Sequence, residues 1–441
     1  MKYNSFCIDG ENKDLVPSEK FLNNNWNSKV LFEMSNTKVE LCTSSDLLES
    51  DDPYFLVIET SGQQIGKSIM HSNEWTRPDN KNNNKILLIE FLKYQLLGET
   101  KFSKFCDDLR NNKCFLLVIF EEQSVINTSE FFRQLDNFVT EIGIKKQQLC
   151  FLISEFYYNG YKTTDYPIFQ YPFYAYNICQ WQKSRVKEMK EFYSLYFNYS
   201  WMFLKQKHFV CTNNRIRDYR TWIMFILKKN NLFDKGYVSY LANNEDPDNQ
   251  YNVKQFLMET RRFTEAPFGY SRKELDEFYK LLPINCDVKK NVYIRTKESH
   301  WPIQNILFDS YFNIITESDF GFGTGENKVF LTEKTWKPIL NHQPFFIISN
   351  PNYLKGLKEL GFKTFDTWLD ESYDSVTADR GLLIIEKEIK RICDMSIDEV
   401  DELYWNMKDV LEHNFNHFFE IIYKSLDDLE QFIKESFNDL S

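Results

Sequence analysis

Apolar residues follow two kinds of pattern along this chain. The first is the short unbroken run, clearest in Phe115-Leu-Leu-Val-Ile-Phe120 and Cys150-Phe-Leu-Ile-Ser154. Runs of that length predict strands buried on both faces, as in a parallel sheet. The second is helical spacing. Between the two runs, Ser129 to Ile142 places Phe131, Leu135, Phe138 and Val139 on one stripe. Strand, helix and strand in about 40 residues make a βαβ unit, so the first half of the chain reads as Rossmann-like. Tyr54-Phe-Leu-Val-Ile-Glu-Thr60, fed by the turn Asp51-Asp-Pro, predicts a further buried strand. No glycine-rich phosphate loop accompanies these strands, which argues against a dinucleotide site in this half.

The second half repeats the alternation. His208-Phe-Val-Cys-Thr-Asn213 predicts a strand leading into a helix that carries Arg215, Arg217 and Arg220, with Trp222, Ile223, Ile226 and Leu227 as its packing surface. At i, i+3, Arg217 and Arg220 share a helix face. Gly236-Tyr-Val-Ser-Tyr240 predicts the next strand, and Asn305 to Thr316 leads into Glu317 and the loop Gly321–Gly325. Phe330 to Pro344 then reads as a short amphipathic helix followed by a buried strand from Phe345. Thr332 is its N-cap, which puts Glu333 and Lys334 in the first turn. There the free N–H groups and the Lys334 ammonium suit a phosphate, although the same residues also fit a capped helix with solvated charges. From Ile384 to Leu440 the chain reads as acidic helices.

Length changes this picture little. A chain of 441 residues with 42% hydrophobic and 27% charged residues is globular and long enough for two domains. The expected boundaries are 1–205, 206–395 and an acidic helical tail at 396–441. Charge is uneven: Asp366–Ser441 holds 20 Asp/Glu against 7 Lys/Arg, whereas Lys183–Lys229 holds 11 Lys/Arg against 3 Asp/Glu. Residues 156–209 contain 19 Phe, Tyr or Trp, among them Tyr157, Tyr158 and Tyr161. Those rings read either as packing or as a stacking platform for a sugar or an unpaired base. No spanning segment or signal peptide is visible, and nine cysteines without a CxxC pair fit reduced thiols in a cytoplasmic setting. The expectation is therefore no membrane partner. No His, Cys or carboxylate spacing predicts a metal; His413 and His417 read as surface or packing residues.

Thr332-Glu333-Lys334, preceded by Glu317 in Phe312-Asn-Ile-Ile-Thr-Glu317, resembles the donor-binding motif of the alpha-1,3-fucosyltransferase family. Extended through Pro344-Phe-Phe-Ile-Ile, Leu360-Gly-Phe-Lys-Thr-Phe365 and Asp370-Glu-Ser-Tyr-Asp374, the pattern is similar to glycosyltransferases of phages and large viruses. The resemblance covers roughly residues 205–420 and is specific over 312–374. Tyr219 departs from it, standing where a His is expected.

The resemblance implies an α/β fold of two Rossmann-like domains in GT-B architecture, a nucleotide-sugar donor and inversion at the anomeric carbon. Arg217, Arg220 and Lys334 become candidates for holding the leaving diphosphate, Arg215 and Thr332 for the donor site as a whole, and Glu317 and Glu333 for holding ribose or sugar hydroxyls. Fixed cations can neutralise a leaving diphosphate, so no metal or other cofactor is expected. The catalytic base is expected among Glu121, Glu122 and Glu155, which follow the two clearest strands of the first domain. Tyr157, Tyr158 and Tyr161 are the candidates for the acceptor side. The acceptor reads as a glycan or as hydroxymethylated pyrimidine in viral DNA, for which the basic segment would supply phosphate contacts. The alternative is a non-catalytic nucleotide-sugar- or glycan-binding protein on a transferase scaffold.

Overall fold

Each half of the chain builds a sheet, parallel apart from the short β2 of the first, that starts in the middle and grows outward in both directions. The computed structural model describes residues 2–8, 15–17, 40–41, 54–60, 97–120, 129–154, 156–157, 165–172, 174–175, 183–213, 216–241, 253–265, 268–284, 286, 305–318, 320 and 328–438. The chain divides into two units, Met1–Arg185 with Glu420–Ser441, and Val186–Phe419.

In the first unit β1 (Lys2–Ile8) is flanked on one edge by β2 (Leu15–Pro17), antiparallel, and by the two-residue β3 (Glu40–Leu41), parallel. On its other edge follow β4 (Tyr54–Thr60), β5 (Cys114–Phe120), β6 (Leu149–Ile153) and β8 (Ile168–Gln170), all parallel, with β7 (Phe156–Tyr157) as a short strand between β6 and β8 in sequence. Helix α1 (Gly98–Arg110) connects to β5, and α2 (Ser129–Ile142) joins β5 to β6. The strands expected at 54–60, 115–120 and 150–154 and the helix at 129–142 are all present. Of the expected stripe, Leu135 and Phe138 are buried and Val139 is partly so, with Ile142 buried one turn on; the side chain of Phe131 lies outside the described residues. The Tyr54 hydroxyl donates to the buried Asp108 carboxylate at 2.9 Å, pinning α1 to the sheet. Tyr166 and Tyr171, from the aromatic zone, are core residues here. Tyr166 donates to Asp136 at 2.8 Å and meets Phe151 edge-on.

The second unit opens on α3 (Lys183–Ser200), a helix in a stretch whose aromatic density hides its period. Its sheet has the order β10 (Gly236–Tyr240), β9 (Lys207–Asn213), β11 (Ser310–Thr316), β13 (Phe345–Ile348), all parallel. Helix α4 (Asp218–Lys229) joins β9 to β10, and α5 (Glu333–Leu340), after the two-residue β12 (Lys328–Val329), precedes β13, as the sequence predicts for both helices. Every residue from Tyr219 to Leu227 is buried, so α4 is a core helix covered on all sides. Beyond β13 lie α6 (Tyr353–Glu359), α7 (Ala378–Asp394), α8 (Ile397–Asn406) and α9 (Lys408–Asn438).

The division falls at residue 185 and within α9, where the sequence reading set 205 and 395. The reason is packing. Phe197 of α3 stacks on His342 at 3.9 Å, and Tyr404 of α8 donates to the His342 carbonyl at 2.9 Å, so both helices belong to the second sheet's core.

In the second unit the parallel strands run in the doubly wound order 2-1-3-4; in the first, β2 and β3 lie on one edge of β1 and β4 onward on the other. The chain leaves the first strand toward one edge, then returns to build the other. In open α/β sheets, ligands bind outside the carboxyl ends of the strands at such a reversal. In the second unit the reversal lies between β9 and β11, whose last residues, Asn213 and Thr316, hydrogen-bond through their side chains.

Candidate functional site

Glu317 is the first residue after β11 and has no solvent exposure. A buried carboxylate is costly unless several donors satisfy it. Its Oε2 accepts the Thr332 hydroxyl at 2.7 Å and the Ser318 N–H at 3.1 Å. Its Oε1 accepts the Thr335 hydroxyl at 2.6 Å and the Tyr353 hydroxyl at 3.2 Å. Three of these donors are buried side chains on the start of α5 and on α6. Glu317 therefore positions the α5 N-terminus from below, and its oxygens are occupied by protein donors rather than turned toward a sugar.

Thr332 caps α5 as the sequence predicts, accepting from the Lys334 N–H at 3.3 Å. The Lys334 ammonium lies 3.2 Å from the same Thr332 hydroxyl, 3.0 Å from the Glu333 carboxylate and 3.4 Å from the Ser318 hydroxyl. It is partly exposed. Lys337, one turn on, feels Glu333 and Lys334 together; burial brings its ammonium down to about 8. Sequence reasoning missed it, although its i, i+3 spacing from Lys334 was available.

Across the reversal, the Tyr219 hydroxyl donates to the Glu317 carbonyl, and Arg220 reaches that same carbonyl at 3.4 Å. The Tyr219 ring packs on Phe320 at 4.7 Å between centroids. Tyr219 thus ties α4 to the end of β11. Its phenol is pushed up by burial and the Glu317 charge, against the lowering pull of Arg220 and Arg217. The expected shared face of Arg217 and Arg220 does not form. Arg217 is the N-cap, with extended backbone at φ −150 and ψ 154, so it precedes the helix. Its side chain is exposed and folds onto the Ile216 carbonyl at 2.9 Å, whereas Arg220 is buried. The two cations act at different depths.

The rest of the motif holds the frame. Asp374 accepts the Leu354 N–H at 2.9 Å and the Lys355 N–H at 3.1 Å, capping α6. Burial raises its carboxyl although those N–H groups and Lys358 favour the anion. Phe365 meets Phe345 edge-on, and Glu371 accepts the Phe365 N–H at 2.7 Å. His413 and His417 bond the carbonyls of Gly361 and Leu360 just beyond α6, as packing residues would.

The structure brings Arg217, Arg220, Glu317, Thr332, Glu333 and Lys334 to the carboxyl ends of β9 and β11. Glu121, Glu122, Glu155, Tyr158, Tyr161, Arg215 and the Gly321–Gly325 loop lie outside the described residues. Tyr157 is in β7, with its side chain likewise outside them. Among the described residues no group of His, Cys, Asp and Glu is arranged to hold a metal ion, and no helix is long and apolar enough to cross a membrane.

No protein-family model, curated protein or solved structure matches this chain. The geometry of the site stands on its own.

Proposed function

We propose that the Val186–Phe419 unit binds the diphosphate of a nucleotide-sugar at the reversal between β9 and β11, and that the protein is an inverting glycosyltransferase of GT-B type. The observation that carries this reading is the joint made by Glu317. Its carbonyl receives Tyr219 and Arg220 from one side, and its carboxylate receives Thr332 from the other. That joint fixes a capped helix start bearing Lys334 and a helix start bearing Arg217 at one sheet end. Two α/β sheets in one chain, each built outward from its first strand, support the GT-B reading.

In this reading Lys334, Arg217 and the α5 N-terminus neutralise the charge that grows on the departing diphosphate, without a metal. Glu333 holds a ribose or sugar hydroxyl. A carboxylate base, for which the sequence offers Glu121, Glu122 and Glu155, takes the proton of the acceptor hydroxyl as its oxygen attacks the anomeric carbon. The acceptor is a glycan or a hydroxymethylated pyrimidine in DNA. The test is release of nucleoside diphosphate from UDP-, GDP- and CDP-sugars in the presence of each acceptor, with the anomeric configuration of the product read by NMR. Acceptor-dependent release with inversion supports the proposal. Tight donor binding without turnover on any acceptor replaces it with the non-catalytic binding protein.

A further inference from the structure

Helix α3 is apolar on both faces. Val186, Tyr193 and Phe197 are buried, yet Phe192, Leu195 and Tyr199, at i, i+3 and i+7, form a second stripe open to solvent. The chain then turns through Trp201-Met202-Phe203-Leu204, all four exposed, with Trp201 at 67% and Phe203 at 70%. One uncharged stretch, residues 192–204, therefore carries seven exposed large apolar side chains. A contiguous patch of this kind marks an interaction surface rather than ordinary surface scatter.

From these observations we infer that the α3 stripe and the Trp201–Leu204 turn dock the protein peripherally on an anionic lipid bilayer. Charge and side-chain type select this occupant. The flanks of the uncharged stretch hold Lys183, Arg185, Lys187, Lys190 and Lys207 against Glu188 and Glu191, a balance of +3 in a chain of −11, while Lys205 is buried on the Phe308 carbonyl. Lys187 is exposed, and Lys190 and Lys207 are partly so. A second copy pairing through the same patch would set these basic flanks against each other. An anionic surface attracts them, at roughly 1 kcal/mol per cation close to the headgroups. Single-stranded nucleic acid would stack on rings, but Leu195, Met202 and Leu204 offer none, and no cation lies between the rings to meet a phosphate. An apolar centre of Trp, Phe, Leu and Met with cations at its edge is the composition of an interfacial insert. Such docking needs no spanning helix. It is independent of the glycosyltransferase reading.

The test is flotation of the full-length protein with vesicles of phosphatidylcholine alone or with about 30% phosphatidylserine. The comparison is with Trp201→Ser/Phe203→Ser, whose exposed positions leave the core intact, as circular dichroism checks. The expected result is binding to the serine-containing vesicles that weakens with salt and falls about tenfold or more in the variant. Lys187→Glu/Lys190→Glu keeps the apolar surface and is expected to weaken only the charge-dependent part. Equal binding by wild type and the Trp201/Phe203 variant, or no vesicle binding at all, overturns the inference. So does a concentration-dependent dimer, or binding to an unpaired oligonucleotide, that the variant loses while vesicle binding is absent.

Discussion

The Glu317 carboxylate holds the Thr332 hydroxyl at 2.7 Å, joining the end of a central strand to the start of the helix that carries Lys334. Thr332 in turn accepts from the Lys334 N–H and lies 3.2 Å from its ammonium. A buried anion thus sets the position of a partly exposed cation through one hydroxyl.

Replacing Glu317 by alanine leaves the Thr332, Thr335 and Tyr353 hydroxyls without their carboxylate. Unsatisfied buried groups cost roughly 1–3 kcal/mol each, so Glu317→Ala is expected to lose about 3 kcal/mol or more. Glu317→Gln keeps one acceptor oxygen and loses less. Urea midpoints at constant m-value measure both. An alanine variant as stable as wild type would show that the joint does not hold the site together.

Tyr219→Phe keeps the ring against Phe320 and removes the hydroxyl's bond to the Glu317 carbonyl, with its longer one to the Ser318 carbonyl at 3.4 Å. The expected cost is about 1 kcal/mol, because Arg220 still reaches the Glu317 carbonyl. The same urea titration reads it, and a loss as large as that of Glu317→Ala would mean the phenol does more than tie α4 to β11.

Lys334→Ala removes a partly exposed charge that contacts Thr332, Ser318 and Glu333 and supports no core. Affinity for the preferred nucleotide-sugar is expected to drop about tenfold or more, with the melting temperature nearly unchanged. Calorimetric titration gives the dissociation constant. An unaltered value would remove Lys334 from the donor site.

His342 lies between the rings of Phe197 and Phe415, at 3.9 and 4.3 Å, with Lys205 nearby. Burial, and then the Lys205 charge, bring its imidazole from 6.5 down to about 3. In the folded chain it stays neutral, while the unfolded chain protonates it below about 6.5. The stability it contributes is therefore complete above that pH and is lost as pH falls toward 3, at up to about 1.4 kcal/mol per unit. His208, also lowered by burial, adds in the same direction. Asn tolerates the positive φ of 49 at this position, so His342→Asn isolates the ring. Urea midpoints measured from about pH 4.5 to 7.5 are expected to fall less steeply with acid in the variant. Parallel slopes would assign the acid sensitivity to other groups.

The parallel strands were legible because a strand buried on both faces must be apolar throughout, as 115–120 and 345–348 are. Thr332 was legible as a cap because capping is local. What lay hidden depends on tertiary contact. Glu317 read as a ligand-binding carboxylate, since nothing local reveals that three hydroxyls from α5 and α6 converge on it. Arg217 read as helical because only the backbone shows that the helix begins one residue later. Helix α3 escaped because rings on both of its faces erase the amphipathic period that identifies a surface helix. The exposed half of those rings is what the docking inference then explains.

The most direct measurement is a thermal-shift titration of the full-length protein with UDP-, GDP- and CDP-sugars in EDTA, run beside Lys334→Ala. Ligand at a hundred times its dissociation constant adds about 2.7 kcal/mol of apparent stability, a readily visible shift. A rise with one nucleotide in wild type, absent from Lys334→Ala, is what a donor site at the Glu317 joint requires. No shift with any of the three, or an equal shift in the variant, would place nucleotide-sugar binding elsewhere or nowhere in this chain.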